Sequence, residues 1–195
     1  KQGQDGAYEY SVQQVVDEAE KAAHAGATEF HIVGGLHPRL PFGYANNELD
    51  MTVTAFHFNP EKGTLKKIHS VSTIPDSVSD RSRFSTAEIS IHPSGKFLYV
   101  SNRGHDSISL FRIDEKSGKL TLKRVEPTHC QTPRHFAIAP SGERLYAAGQ
   151  ASGTVTAFTI DPITGKLSFT NNSIKVPKPV CIIFSRPLSS GPEKP

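Results

Sequence analysis

Asn102-Arg103-Gly104-His105-Asp106-Ser107-Ile108-Ser109-Leu110-Phe111, with Gly118-Lys119-Leu120 beyond it, is the stretch on which the reading of this chain turns. The pattern occurs twice more. Asn47-Glu48-Leu49-Asp50-Met51-Thr52-Val53-Thr54-Ala55-Phe56 is followed by Gly63-Thr64-Leu65, and Gly149-Gln150-Ala151-Ser152-Gly153-Thr154-Val155-Thr156-Ala157-Phe158 by Gly165-Lys166-Leu167. Phe to Gly is seven positions in each copy and Gly to Leu is two. Pro93-Ser94-Gly95 and Pro140-Ser141-Gly142 form a second shared block, 47 positions apart. Tyr44, Tyr99 and Tyr146 each stand three residues before the Asn or Gly that opens the pattern. Self-similarity at a fixed period marks stacked structural units.

Within each unit, apolar and polar residues alternate with period two, the mark of strands. In the middle copy this predicts strands at Ala87–His92, Phe97–Asn102, Ser107–Asp114 and Leu120–Val125, with Ile108, Leu110 and Arg112 on one face of the third and Phe111 and Ile113 on the other. Pro93-Ser94-Gly95 and Lys116-Ser117-Gly118 read as tight turns, because Pro presets φ and Gly tolerates positive φ. Four antiparallel strands in a repeat of about 45 residues describe one blade of a propeller. The fold expected is mainly β, a partial β-propeller of about three four-stranded blades over 37–184, preceded by one α-helix and one strand. The blades fall at about 30–72, 86–128 and 134–176, with a closing strand at 179–184 and a Ser/Gly/Pro-rich tail at 185–195 expected to be disordered.

Residues 1–36 do not follow the repeat. Ser11 suits a helix N-cap, and Val12, Val15, Val16, Ala19, Ala22 and Ala23 recur at helical spacing up to Gly26. Thr28 to Gly35 then reads as a buried strand entering a glycine turn, so helix, strand and Gly-Gly follow α/β-barrel order. His37-Pro38, Phe42, Tyr44 and Asn47 are spaced like His92-Pro93, Phe97, Tyr99 and Asn102, so the segment joins the repeat in register. Phe30–Leu36 is expected to stand in for the first strand of the first blade.

The chain has 195 residues, 22 basic against 19 acidic, and a formal net charge of +3, too balanced to point to nucleic acid by charge. No run approaches the ~18 apolar residues of a membrane span, and Lys1 to Tyr8 lacks an apolar export core. A cytoplasmic location is therefore expected, and with it two reduced, buried thiols at Cys130 and Cys181 rather than a disulfide. Two cysteines are too few to hold zinc or an iron–sulfur cluster alone. An open array of three blades leaves unpaired strand edges and predicts self-association.

From Tyr44 to Phe184 the chain resembles the lactonase family of seven-bladed propellers. The residues that carry the likeness are Asn47-Glu48-Leu49, Ala87-Glu88-Ile89, Leu98-Tyr99-Val100-Ser101-Asn102-Arg103-Gly104-His105-Asp106-Ser107, Pro133-Arg134-His135-Phe136 and the run Val176 to Phe184. The resemblance implies hydrolysis of a small sugar lactone, 6-phosphogluconolactone to 6-phosphogluconate, with no metal or organic cofactor. Such chemistry needs a group that moves a proton and cations that hold an oxyanion and a phosphate or carboxylate. Glu48 is the candidate acid/base and Arg103 the candidate anion clamp, since a guanidinium offers bidentate geometry. Both stand at the same place in their units, directly after the Asn of the second strand, so the repeat aims them at one rim of the central channel. Arg134 and His135 are further catalytic candidates. Glu48 also reads as an exposed turn carboxylate, Arg103 as an inter-blade anchor and His135 as a structural histidine. Glu88 and Asp106 read as scaffold, and His92 and His105 lack metal-ligand spacing.

Members of the family also carry a Pro-Arg-His strand sixteen residues before the glutamate and a further upstream histidine. Here the Arg position falls on Ile32. Three readings stay open: a hydrolase of lactonase descent, its activity open to loss by truncation, a non-catalytic binding or relic domain, and a fragment of a radical S-adenosylmethionine enzyme. The last rests on Gly6-Ala7-Tyr8 through His31-Ile32-Val33-Gly34-Gly35-Leu36-His37-Pro38, which resembles enzymes of the menaquinone futalosine route but lacks their three cluster cysteines.

Overall fold

Twelve strands build the chain in the computed structural model, which describes residues 35–36 and 40–185. The predicted helix after Ser11 and most of the strand leading to Leu36 lie outside the described residues. Strand β1 spans Gly35–Leu36, β2 Phe42–Asn47, β3 Thr52–Asn59 and β4 Thr64–Ser72. Then come β5 Ser85–Ile91, β6 Phe97–Arg103, β7 Ser107–Ile113 and β8 Leu120–Pro127. The last four are β9 Pro133–Ile138, β10 Arg144–Gly149, β11 Thr154–Ile160 and β12 Leu167–Lys175. They form three four-stranded antiparallel sheets in plain sequential order, β1 to β4, β5 to β8 and β9 to β12. These are the blades of a partial β-propeller, with β5 and β9 in contact as inner strands.

The three sheets share one register. Gly35 lies opposite Tyr44, Ser90 opposite Tyr99 and Ala137 opposite Tyr146. Leu36 opposite Gly43, Ile91 opposite Leu98 and Ile138 opposite Leu145 complete the correspondence. The short β1 thus occupies the first-strand position of its blade.

Why the middle sheet is so apolar follows from its place between two others. All seven residues of β7 but Arg112 are buried. Ile108 and Leu110 enter the core shared with the third sheet, alongside Phe97, Tyr99, Phe136, Leu145 and Phe158. Phe111 and Ile113 enter the core shared with the first, alongside Phe42, Tyr44, Val53, Leu98 and Val100. Alternate residues serve opposite neighbours, so period two here separates two cores rather than core from solvent. Arg112 lies over the Phe97 ring at 5.2 Å, covering the rim of the first of these cores.

The recurring tyrosine ties one blade to the next. The Tyr44 hydroxyl donates to the Gly118 carbonyl at 3.1 Å, and the Tyr99 hydroxyl to the Gly165 carbonyl at 2.7 Å. Both hydroxyls are buried, and burial holds both phenols well above their usual range. His92 adds a parallel tie through Nε2 to the Gly142 carbonyl at 2.8 Å, and the carbonyl can only accept, so Nε2 carries the proton. Tyr99→Phe should lower stability by about 1–3 kcal/mol, because it leaves a buried carbonyl without its donor. Urea midpoints of the two proteins check this.

Two expectations need correcting. Residues 179–184 form no strand, with no strand described alongside them; they cross the third sheet, where the Ile182 amide meets His135 and Phe184 meets Tyr146 at 5.7 Å between ring centroids. Both cysteines are free, but only Cys130 is buried, while Cys181 is exposed because it rides on that crossing segment. No helix among the described residues is long and apolar enough to cross a membrane.

Candidate active site

The inner strands β5 and β9 each break register at the same point. Opposite β6, Ala87 and Glu88 together face the span of Ser101, since pairing jumps from Thr86–Asn102 to Ile89–Val100. Opposite β10, pairing jumps from Pro133–Gly149 to His135–Ala148, leaving Arg134 as the extra residue. Such bulges bend a strand and re-aim its side chains. Ala87-Glu88 and Arg134-His135 occupy the same place in consecutive units, and the structure brings them side by side.

Glu88 and His135 meet directly, with Nε2 of His135 3.4 Å from Oε2 of Glu88. The contact is a little longer than a full hydrogen bond. Nδ1 of His135 accepts the Ile182 amide at 3.2 Å, so the neutral ring carries its proton on Nε2, toward Glu88. The crossing segment therefore orients this ring. Their side chains are 29% and 20% exposed. Burial pushes the Glu88 carboxyl up to about 7 against the opposing pull of the Ile89 amide, and burial lowers His135 below the usual imidazole range.

Glu48 sits just past the end of β2, in the turn Glu48 to Met51, and Arg103 ends β6. The Arg103 guanidinium donates to a Glu48 carboxylate oxygen and, at 3.4 Å, to the Thr86 carbonyl. Arg103 is largely buried, and its Nε has no partner among the described residues. Arg134 is exposed and forms no ion pair among the described residues.

All four sequence-derived candidates, Glu48, Arg103, Arg134 and His135, line one cleft of about 940 Å³, together with Glu88 and Cys181. That volume lies at the upper end of the range of small-molecule sites. The arrangement offers two guanidinium groups, one already matched by a carboxylate, and a second carboxyl poised to exchange a proton near neutral pH. Glu88, read from the sequence as scaffold, also lines this cleft. The available signal was its offset of 47 from His135, which makes the two equivalent residues of neighbouring inner strands. Asp106 does serve the scaffold, accepting the Thr132 amide at 2.8 Å. His105 contacts Ser107 at 2.7 Å. Among the described residues, no three of His, Cys, Asp and Glu cluster as metal ligands would.

Residues 3–184 match the family described as lactonase, 7-bladed beta-propeller, a span that takes in the N-terminal segment as well as the three sheets. The 6-phosphogluconolactonase of Bacillus subtilis is 35% identical over 159 residues, 82% of this chain and 44% of that protein. That of Pectobacterium carotovorum is 37% identical over 121 residues, 62% of this chain and 35% of that protein. The chain thus spans less than half the length of these relatives. Among solved structures, a candidate 6-phosphogluconolactonase from Bacteroides uniformis superposes with a TM-score of 0.69 at 34% identity, covering 76% of this chain and 41% of that one. The periplasmic gluconolactonase of Pseudomonas aeruginosa gives 0.66 at 28% identity, covering 71% and 38%. With three sheets in sequential order, a shared register and a profile match over nearly its whole length, the chain belongs to the seven-bladed β-propeller lactonases.

Proposed function

We propose that the cleft binds and hydrolyses a sugar lactone bearing an anionic group, with 6-phosphogluconolactone as the substrate to test first. The observation that carries this reading is the convergence of Glu48, Glu88, Arg103, Arg134 and His135 from three sheets on one cleft. Lactone opening places negative charge first on the carbonyl oxygen and then on the product carboxylate. Cations fixed beside the carbonyl stabilise both. Arg103 is braced by Glu48 and so is held still, a fixed positive charge beside a developing oxyanion. Arg134, exposed and unpaired among the described residues, suits the phosphate. The clamp role read from the sequence for Arg103 is thus divided between two arginines.

The test is hydrolysis of 6-phosphogluconolactone by the purified chain, followed against the uncatalysed rate. The wild type should accelerate the reaction. Arg134→Ala should raise KM about 10- to 100-fold with little change in kcat, because a charge-assisted bond to phosphate is worth about 1.5–3 kcal/mol. A KM unchanged by Arg134→Ala would remove that residue from the phosphate site. A second reading, binding without turnover, is favoured by the ion pair that already occupies Arg103 and Glu48. It predicts that calorimetry detects 6-phosphogluconate while the hydrolysis rate stays at the background.

A further inference from the structure

Two carboxylates share the cleft, and their surroundings differ in a way that sorts their roles. Glu48 is 61% exposed and already bound to the Arg103 guanidinium. Its carboxylate is already committed to that guanidinium, so it is not free to hold a water for attack. Among the described residues Glu88 has no cation in contact with it other than the imidazole of His135, and most of its side chain is withdrawn from water. A bulge turns it from the inner strand toward the cleft, and a second bulge at the equivalent place in the next blade brings His135 to meet it. The charged and titratable groups that share the cleft with Glu88 are Glu48 from the β2–β3 turn, Arg103 from the end of β6, Arg134 and His135 from β9, and Cys181 from the crossing segment.

We propose that Glu88 is the general acid/base of this cleft and that His135 is its positioning residue, an assignment that rests on the lactone-hydrolase reading above. The Glu88 carboxylate takes a proton from water as the water oxygen bonds to the lactone carbonyl carbon. The carbonyl π pair moves to its oxygen, giving a tetrahedral oxyanion beside the arginines. As that oxyanion restores the carbonyl, the bond from the carbonyl carbon to the ring oxygen breaks, and Glu88 returns its proton to the ring oxygen, which leaves as a hydroxyl. The product acid then releases its proton to solvent. Both transfers are done by one group, which works best when its two protonation states are close in energy at the working pH. Burial supplies that condition at Glu88. His135, its Nδ1 engaged by the Ile182 amide, presents Nε2–H to the carboxyl and holds it toward the cleft.

The experiment measures kcat and KM against pH for wild type, Glu88→Gln, His135→Ala and His135→Gln, with 6-phosphogluconolactone as substrate. Glu88→Gln should lose roughly 100-fold or more in kcat with KM changed less than about threefold. His135→Ala should move the acid limb of the kcat profile to higher pH, since the carboxylate loses a donor. His135→Gln keeps a donor and should restore the wild-type limb, which a purely structural histidine would not do. A wild type that turns over while Glu88→Gln keeps its rate overturns the assignment and leaves the hydrolase reading standing. A wild type without turnover overturns both. Should Glu88→Gln not fold, carboxyl titration of the wild type by carbon NMR decides: a Glu88 that titrates like a solvated glutamate overturns the proposal.

Discussion

Phe97→Ala is expected to destabilise the chain by about 3–5 kcal/mol, the range for removing a fully buried aromatic ring. Phe97 is 2% exposed and opens the second strand of the middle blade. Its ring packs edge-on to His92 at 5.9 Å between centroids, lies under the Arg112 guanidinium and touches Gly165 of the next blade. Removing it opens the core between the second and third sheets and loosens the turn that Tyr99 grips. The reciprocal change, Gly165→Ala, attacks the same contact from the other side. A methyl there would sit 2.7 Å from Cδ1 of Phe97, on a backbone with φ of 74°. The overlap should cost about 1–3 kcal/mol, and the left-handed backbone roughly 1 more. In the Phe97→Ala background the overlap has no partner, so Gly165→Ala should then cost only the backbone share. Urea unfolding of both single variants and the double variant measures the coupling; additive losses would show that the two groups do not touch.

Glu88→Gln is expected to make the chain more stable at pH 8 than the wild type, by about 2.5 kcal/mol relative to the same comparison at pH 5. The Glu88 carboxyl titrates near 7 when folded against 4.5 as its ordinary value. A raised carboxyl value means the fold prefers the neutral acid. Its contribution is full below 4.5 and is lost as pH rises through about 7, where a buried carboxylate must be carried. Glutamine is neutral at both pH values and escapes that loss. Three histidines work in the opposite sense. His69, His105 and His135 all lie below the ordinary 6.5, in each case chiefly through burial. Their neutral forms favour the fold above 6.5, and that support fades as pH falls below it. At His69 the reason is visible, since Nε2 accepts the Leu120 amide at 2.9 Å and cannot do so once protonated. Comparing mutant with wild type at each pH cancels the effects of His69 and His105, while His135, in contact with Glu88, titrates together with it. Parallel stability curves for the two proteins would show that Glu88 is solvated.

With the role proposed for Glu88, activity and stability are in tension at one residue. The burial that brings Glu88 into the working range for proton transfer also costs stability at the pH where it would act. Sites that violate local preference in this way are where function is usually found.

The blades were legible in the linear chain because their signals are local. Alternation of apolar side chains, Pro-Ser-Gly and Ser-Gly turns, and a tyrosine at constant offset each act within a few residues of their own backbone. The middle blade was the clearest, since β6 and β7 are buried on both faces and tolerate few polar residues. Glu48, Arg103, Arg134 and His135 could be named as candidates because their places in the repeat put them near strand ends on one side of every sheet. Their partners could not be named that way. That Arg103 pairs with Glu48, that Arg134 stands unpaired among the described residues, and that Glu88 faces His135 depend on how far one sheet is turned against the next. The bulges at Ala87-Glu88 and Arg134 have no turn residue to announce them, and whether residues 179–184 pair as a strand depends on what lies beside them. Period and turn chemistry are properties of the backbone and its nearest neighbours. Burial, and with it the proton affinity of Glu88, is a property of the space between sheets, and it exists only once they have packed.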